Sequence, residues 1–171
     1  MELRTVNFVI LAAVGALFLA SGTQREHAVI SDNRTDAVRS VETDYAKHGD
    51  AASLAALMQG YIDSQAPGMA IAALESADPA IQAAPKVQHV YARALVEAGR
   101  TNEALVAEQR VLDTCAQADG TCDSWLIASA TRRSDIMRQM VDLGIQDPQA
   151  YPEASAIAYA SATREARLVV R

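Results

Sequence analysis

The stretch Tyr91-Ala92-Arg93-Ala94-Leu95-Val96-Glu97-Ala98-Gly99-Arg100-Thr101-Asn102-Glu103-Ala104-Leu105 decides the fold. Tyr91, Ala94, Leu95 and Ala98 recur at the three-and-four spacing that lines one side of a helix. Gly99 suits the left-handed position just past a helix end. Thr101 then opens a second helix, with Ala104 and Leu105 on its stripe. Upstream, Val87 and Val90 extend the first of these helices. Asp78-Pro79 ends the helix before it, because a residue preceding proline is pushed out of the α region. That earlier helix carries Met69, Ala70, Ala73, Leu74 and Ala77, after a break at Ala66-Pro67-Gly68. Asp50 can cap the one before, striped by Leu54, Leu57, Met58 and Tyr61. From about residue 33, Ala37, Val38, Val41 and Tyr45 mark another, ended by Gly49. Downstream, Val111 and Leu112 carry the Thr101 helix towards Cys115, and Ser124 to Leu143 form a longer helix ended by Gly144. The last helix runs from about Pro152, where the missing N–H costs least, to Leu168. Val169-Val170 either extends it or frays. No stretch alternates with period two for long enough to make a strand. The expected class is all-α, with residues 33–171 as one helical domain.

The helices come in pairs with short connections, and a shift of 34 residues aligns them. Leu57 falls on Tyr91, Met58 on Ala92, Tyr61 on Leu95, Ala70 on Ala104 and Ala77 on Val111. A helix–turn–helix period of this length, over about residues 51–115, resembles the tetratricopeptide repeat. The second unit carries it through Tyr91-Ala92, Leu95 and Gly99 to Leu105; the first through Leu54, Leu57, Tyr61, Ala70, Leu74 and Ala77. There are departures. Glu108 stands where the family usually has an aromatic residue, and Ala116 where it usually has proline. A third unit fails, with Arg138 at the small-residue position and no glycine at Arg133. The resemblance implies antiparallel helix pairs stacked as a short half-solenoid, with the flanking helices as caps, since two units are few for a stable array. An alanine-rich bundle without repeat ancestry is the other reading.

The resemblance also implies a partner groove lined by the first helix of each pair. Its positions in the second unit are Lys86, His89, Arg93, Val96 and Glu97, and in the first Ala52, Ala55, Gln59, Ile62 and Asp63. Lys86, His89 and Arg93 share one helical face and form a basic row able to meet a carboxylate or an acidic peptide. The first unit lacks the lysine and asparagine of the family's carboxylate-clamp variety. The alternative is an ordinary solvated face, with Arg93 paired to Glu97.

The chain has 171 residues, half of them hydrophobic, 5% aromatic, 21% charged, with a net charge of −6. Such a length suits one domain. The acidic balance disfavours broad phosphate neutralisation, hence nucleic-acid binding. Alanine fills about one position in five, far above ordinary usage. Two cysteines exclude a disulfide-rich miniprotein and a four-cysteine zinc ribbon.

Residues 1–22 read as a targeting segment. Glu2 and Arg4 form a short n-region, Val6 to Ala20 is interrupted only by Asn7, and Ala20-Ser21-Gly22 offers small residues for a cut before Thr23. The apolar run is short of the roughly 20 residues of a typical spanning helix. Cleavage releases the protein; retention leaves residues 6–20 as a tilted membrane tether. Residues 23–32 are a linker. A buried first helix of the domain is the remaining alternative. Export to a periplasmic or other extracytoplasmic space agrees with Cys115 and Cys122, which flank six residues containing Asp119-Gly120. A disulfide is expected there. Free thiols are the alternative, and the spacing is wrong for a Cys-x-x-Cys redox pair.

No catalytic, phosphate-cradling or metal-binding motif occurs. His27, His48 and His89 lie far apart, and Asp113, Asp119 and Asp123 do not match a calcium loop. Trp125 is expected to be a buried anchor packing on the disulfide, an exposed binding anchor being the alternative. Arg132 and Arg133 are expected on a solvated face. These features describe an exported, non-catalytic module that binds a protein or peptide, with no cofactor, as an adaptor or assembly factor of an envelope complex. The alternatives are a helical subunit that only self-associates and, behind it, a thiol-dependent enzyme.

Overall fold

Gly49, Gly99 and Gly144 all adopt positive φ and each closes a helix, so the chain is cut into helices where glycine permits the left-handed turn. The computed structural model describes residues 32–117 and 122–169. The targeting segment, the linker as far as residue 31, and residues 118–121 of the cysteine loop lie outside the described residues. Among the described residues eight helices follow one another: α1 Asp32–His48, α2 Ala51–Asp63, α3 Pro67–Glu75, α4 Pro79–Gln82, α5 Pro85–Glu97, α6 Thr101–Gln117, α7 Ser124–Asp142 and α8 Pro152–Val169. No strand occurs among the described residues, and the fold is all-α. None of the described helices is long and apolar enough to cross a membrane.

Helix starts obey local chemistry. Asp50 accepts from the Ser53 amide at 2.8 Å while Ser53 Oγ accepts from the Asp50 amide at 3.2 Å, a reciprocal cap on α2. Proline occupies the first position of α3, α4, α5 and α8. The one-turn α4, capped by Asp78 through the Ala80 amide, stands where the sequence pattern shows only a helix end. At the end of α5, Gly99 (φ +73°) lets the Arg100 amide reach back to the Leu95 carbonyl at 2.8 Å. A methyl group at Gly99 would also sit 3.2 Å from Asp147 Cβ.

Helix order in space follows helix order in sequence. α2 packs on α3 and both pack on α5; α5 then packs on α6, α6 on α7 and α7 on α8. The main core joins Leu54, Met58, Val87 and Leu95 with Ala70, Ala92, Ala94 and Ala104, all essentially inaccessible. Small side chains at these contacts let helices approach closely. A second cluster sets Val111, Leu126 and Ala130 against Cys115. A third joins Met140, Ile145 and Ala158 where α7 turns into α8. Thr101, fully buried, donates to the Gln146 carbonyl at 2.6 Å and ties the start of α6 to that turn. Helix α1 leans on α2 through Tyr45 and through Tyr61, whose hydroxyl donates to Glu42 at 2.8 Å. Cys115 and Cys122 are joined in a disulfide with Cα atoms 5.5 Å apart.

Candidate functional site

Glu108 sits on the apolar stripe of α6, between Ala104 and Ala107 on one side and Val111 and Cys115 on the other. That placement carries its carboxylate into the protein, where it is fully buried. A buried charge demands partners, and neighbouring helices supply two. His89 of α5 places Nδ1 2.8 Å from Glu108 Oε2. Arg133 of α7 places Nε 3.2 Å from Oε1, an ion-pair contact without hydrogen-bond alignment. Burial pushes Arg133 below the ordinary guanidinium value; Glu108 opposes the shift and Arg93 adds to it.

The imidazole is engaged on both edges. With Glu108 accepting from Nδ1–H, Nε2 is left to accept from the Ser129 hydroxyl, 3.0 Å away. Arg133 Nη1 lies 3.4 and 3.2 Å from the two ring nitrogens, near-equal distances that place it over the ring face, and it donates to the His89 carbonyl at 3.1 Å. Trp125 meets the same ring edge-on, with centroids 5.9 Å apart. Trp125, Ser129 and Arg133 recur every four residues, so one face of α7 addresses His89.

The basic row is divided by burial. Lys86 is exposed, and Arg93 is half-exposed with Nη2 3.3 Å from Asp63 Oδ1 on α2. His89 is only 6% exposed and its ring is spent on Glu108 and Ser129, so it does not stand open beside them. The alternative pairing of Arg93 with Glu97 is not formed either: Glu97 accepts from Gln149 Nε2 at 3.1 Å. Trp125 corrects the buried-anchor expectation. It is 66% exposed, while the next residue, Leu126, turned about 100° around the helix, packs with Ala130 beneath the disulfide. Arg132 is solvated as expected and lies over Tyr159 of α8, 5.7 Å from the ring centroid. Arg133 is not; it turns inward to Glu108.

The cluster unites residues 19 to 44 positions apart, on three helices, which no short motif can reveal. One signal was present: a glutamate on a helix stripe of small and apolar residues needs a buried partner. Among the described residues no group of three His, Cys, Asp or Glu side chains is placed to hold a metal ion. No protein-family model, no curated protein and no solved structure matches this chain.

Proposed function

We propose that the protein is an exported, tetratricopeptide-like adaptor that binds a protein or peptide through the face shared by α2, α5 and α7. The observation that carries this reading is Trp125: the only tryptophan of the chain, 66% exposed, yet held in place against His89. A large, oriented, solvent-facing aromatic ring is what interface hot spots use. Arg93 links α5 to α2 across the same face, and Lys86 lies open on α5. With Arg93 paired to Asp63, Lys86 is the exposed cation that this face offers to an acidic group of a partner segment. The succession of helix neighbours and the 34-residue period support the repeat-like reading; the apolar run of residues 6–20 and the disulfide support export.

Self-association is the second reading, favoured by Leu143, Tyr151 and Ile157, exposed around the start of α8. The full-length chain, tagged at its C-terminus, is to be cross-linked in an exporting host and the captured chains identified by mass spectrometry. A distinct partner lost in a Lys86→Ala/Arg93→Ala/Trp125→Ala variant is the expected result. Recovery of self-linked chains alone refutes the adaptor reading.

A further inference from the structure

Ser129, His89 and Glu108 form a hydroxyl–imidazole–carboxylate series with successive contacts of 3.0 and 2.8 Å. Both distances lie within the range for a nucleophile, its base and the group that orients the base. The three come from α7, α5 and α6, so the series is held by tertiary packing. Its inner end is rigid, because Glu108 is fully buried and His89 nearly so. Its outer end is reachable, because Ser129 is half-exposed beside the exposed Trp125. A structural role alone requires Glu108, His89 and Arg133 to satisfy one another; it does not require a hydroxyl at position 129 aimed at Nε2. Among the described residues the Ser129 hydroxyl makes no hydrogen bond besides that to His89, and the Arg133 Nη2 amino group makes none.

We propose that Ser129 is an acyl-accepting nucleophile, activated by His89 and Glu108, for carboxylic esters carrying a flat apolar group that rests on Trp125. Oγ forms a bond to the ester carbonyl carbon as its proton passes to His89 Nε2. The carbon–oxygen bond to the leaving alkoxide then breaks, and the same proton leaves with the alcohol. Water repeats the sequence: it gives a proton to Nε2, attacks the acyl carbon and releases the carboxylic acid, and Ser129 recovers its proton. Glu108 stays ionised and holds the ring with Nε2 towards Ser129. Arg133, one turn beyond Ser129 on the same face, offers Nη2 to the negative charge that develops on the carbonyl oxygen. This reaction goes beyond the adaptor reading and does not depend on it.

The test uses the full chain recovered from an exporting host, treated with a fluorophosphonate probe and, separately, with p-nitrophenyl acetate. The expected result is one adduct per chain, mapped to Ser129 by peptide mass spectrometry, with fluoride as the leaving group. Ester hydrolysis should fall on the order of 10²-fold or more in Ser129→Ala, and labelling should fall similarly in His89→Gln. Circular dichroism of each variant establishes that it is folded. If a variant does not fold, the site of the adduct in the unaltered chain decides alone. No adduct, an adduct on another residue, or labelling of Ser129 that folded His89→Gln leaves unchanged overturns the proposal.

Discussion

Replacing Glu108 by leucine tests whether the centre of the molecule is held by charge. Leucine fits the volume and the apolar stripe, so the change removes a carboxylate and adds little strain. It strands the Nδ1–H of His89 and the guanidinium of Arg133, which rely on Glu108 at 2.8 and 3.2 Å. Breaking a buried pair by deleting one member costs about 3–5 kcal/mol. The Arg133 side chain keeps 26% of its surface in solvent, and that edge can recruit water, so the lower end applies, about 3 kcal/mol. For a folded unit of this size that is a fall in Tm of roughly 10 °C. Adding Arg133→Leu removes the stranded cation and should restore most of the loss, leaving about 1 kcal/mol for the imidazole N–H without its acceptor. The assay is urea unfolding of the single and double variants, compared by midpoint at constant slope. A single variant within about 0.5 kcal/mol of the parent refutes the reasoning, as does a double variant no better than the single, because coupled neighbours must depart from additivity.

Trp125 should emit at the long wavelengths of a hydrated indole and be quenched readily by acrylamide in the native protein; a shielded, blue-shifted emission refutes its exposed position. Replacing Cys115 and Cys122 by serine should cost roughly 2–3 kcal/mol for a loop this short, measured as a lower urea midpoint, and an unchanged midpoint refutes that role. At high pH, burial and the Glu42 hydrogen bond push the Tyr61 hydroxyl up to about 12 from its ordinary 10.0. The folded state holds that proton more tightly, so its stabilisation is complete below pH 10 and is lost as pH rises towards 12. Tyr61→Phe should flatten stability over that window, and an unchanged slope refutes the linkage. At low pH the sign reverses. The Ser53 hydrogen bonds hold Asp50 below its ordinary 3.8, so its contribution is present above that value and lost as pH falls through the lower, folded one. Asp50→Ala should lower the midpoint at pH 6, and the difference from the parent should shrink as pH falls below 3.8.

The helices were legible because their signals are local. Gly49, Gly99 and Gly144 end helices by backbone conformation alone, and Pro152 starts one for want of an N–H; Pro67, read as part of a break, and Pro85 open helices in the same way. Each requires only its immediate neighbours. The facing of α7 was not local. Trp125 and Leu126 are both good core residues, and only the position of α6 decides which of them turns to the disulfide. The short α4 was missed for a related reason. Four residues carry too little periodicity to register, and Asp78-Pro79 reads equally as an end and as a cap with its helix start.

Glu108 shows how the same limits bear on the site. Read against an aromatic position of a repeat family, it is only a departure; read on its own helix stripe, it requires a partner. His89 and Arg133 both turn to that carboxylate, so one buried charge accounts for where both side chains sit. With both residues turned inward, Lys86 remains the open cation of α5 and Arg93 is half-exposed and paired to Asp63, while Ser129 and Trp125 become the outer edge of a network rooted in the core. A ring oriented by Glu108 on one edge and by Ser129 on the other cannot rotate without breaking both bonds. The cluster is therefore fixed by the same contacts that join α5, α6 and α7, and a change that loosens those helices must disturb the face on which Trp125 and Ser129 lie.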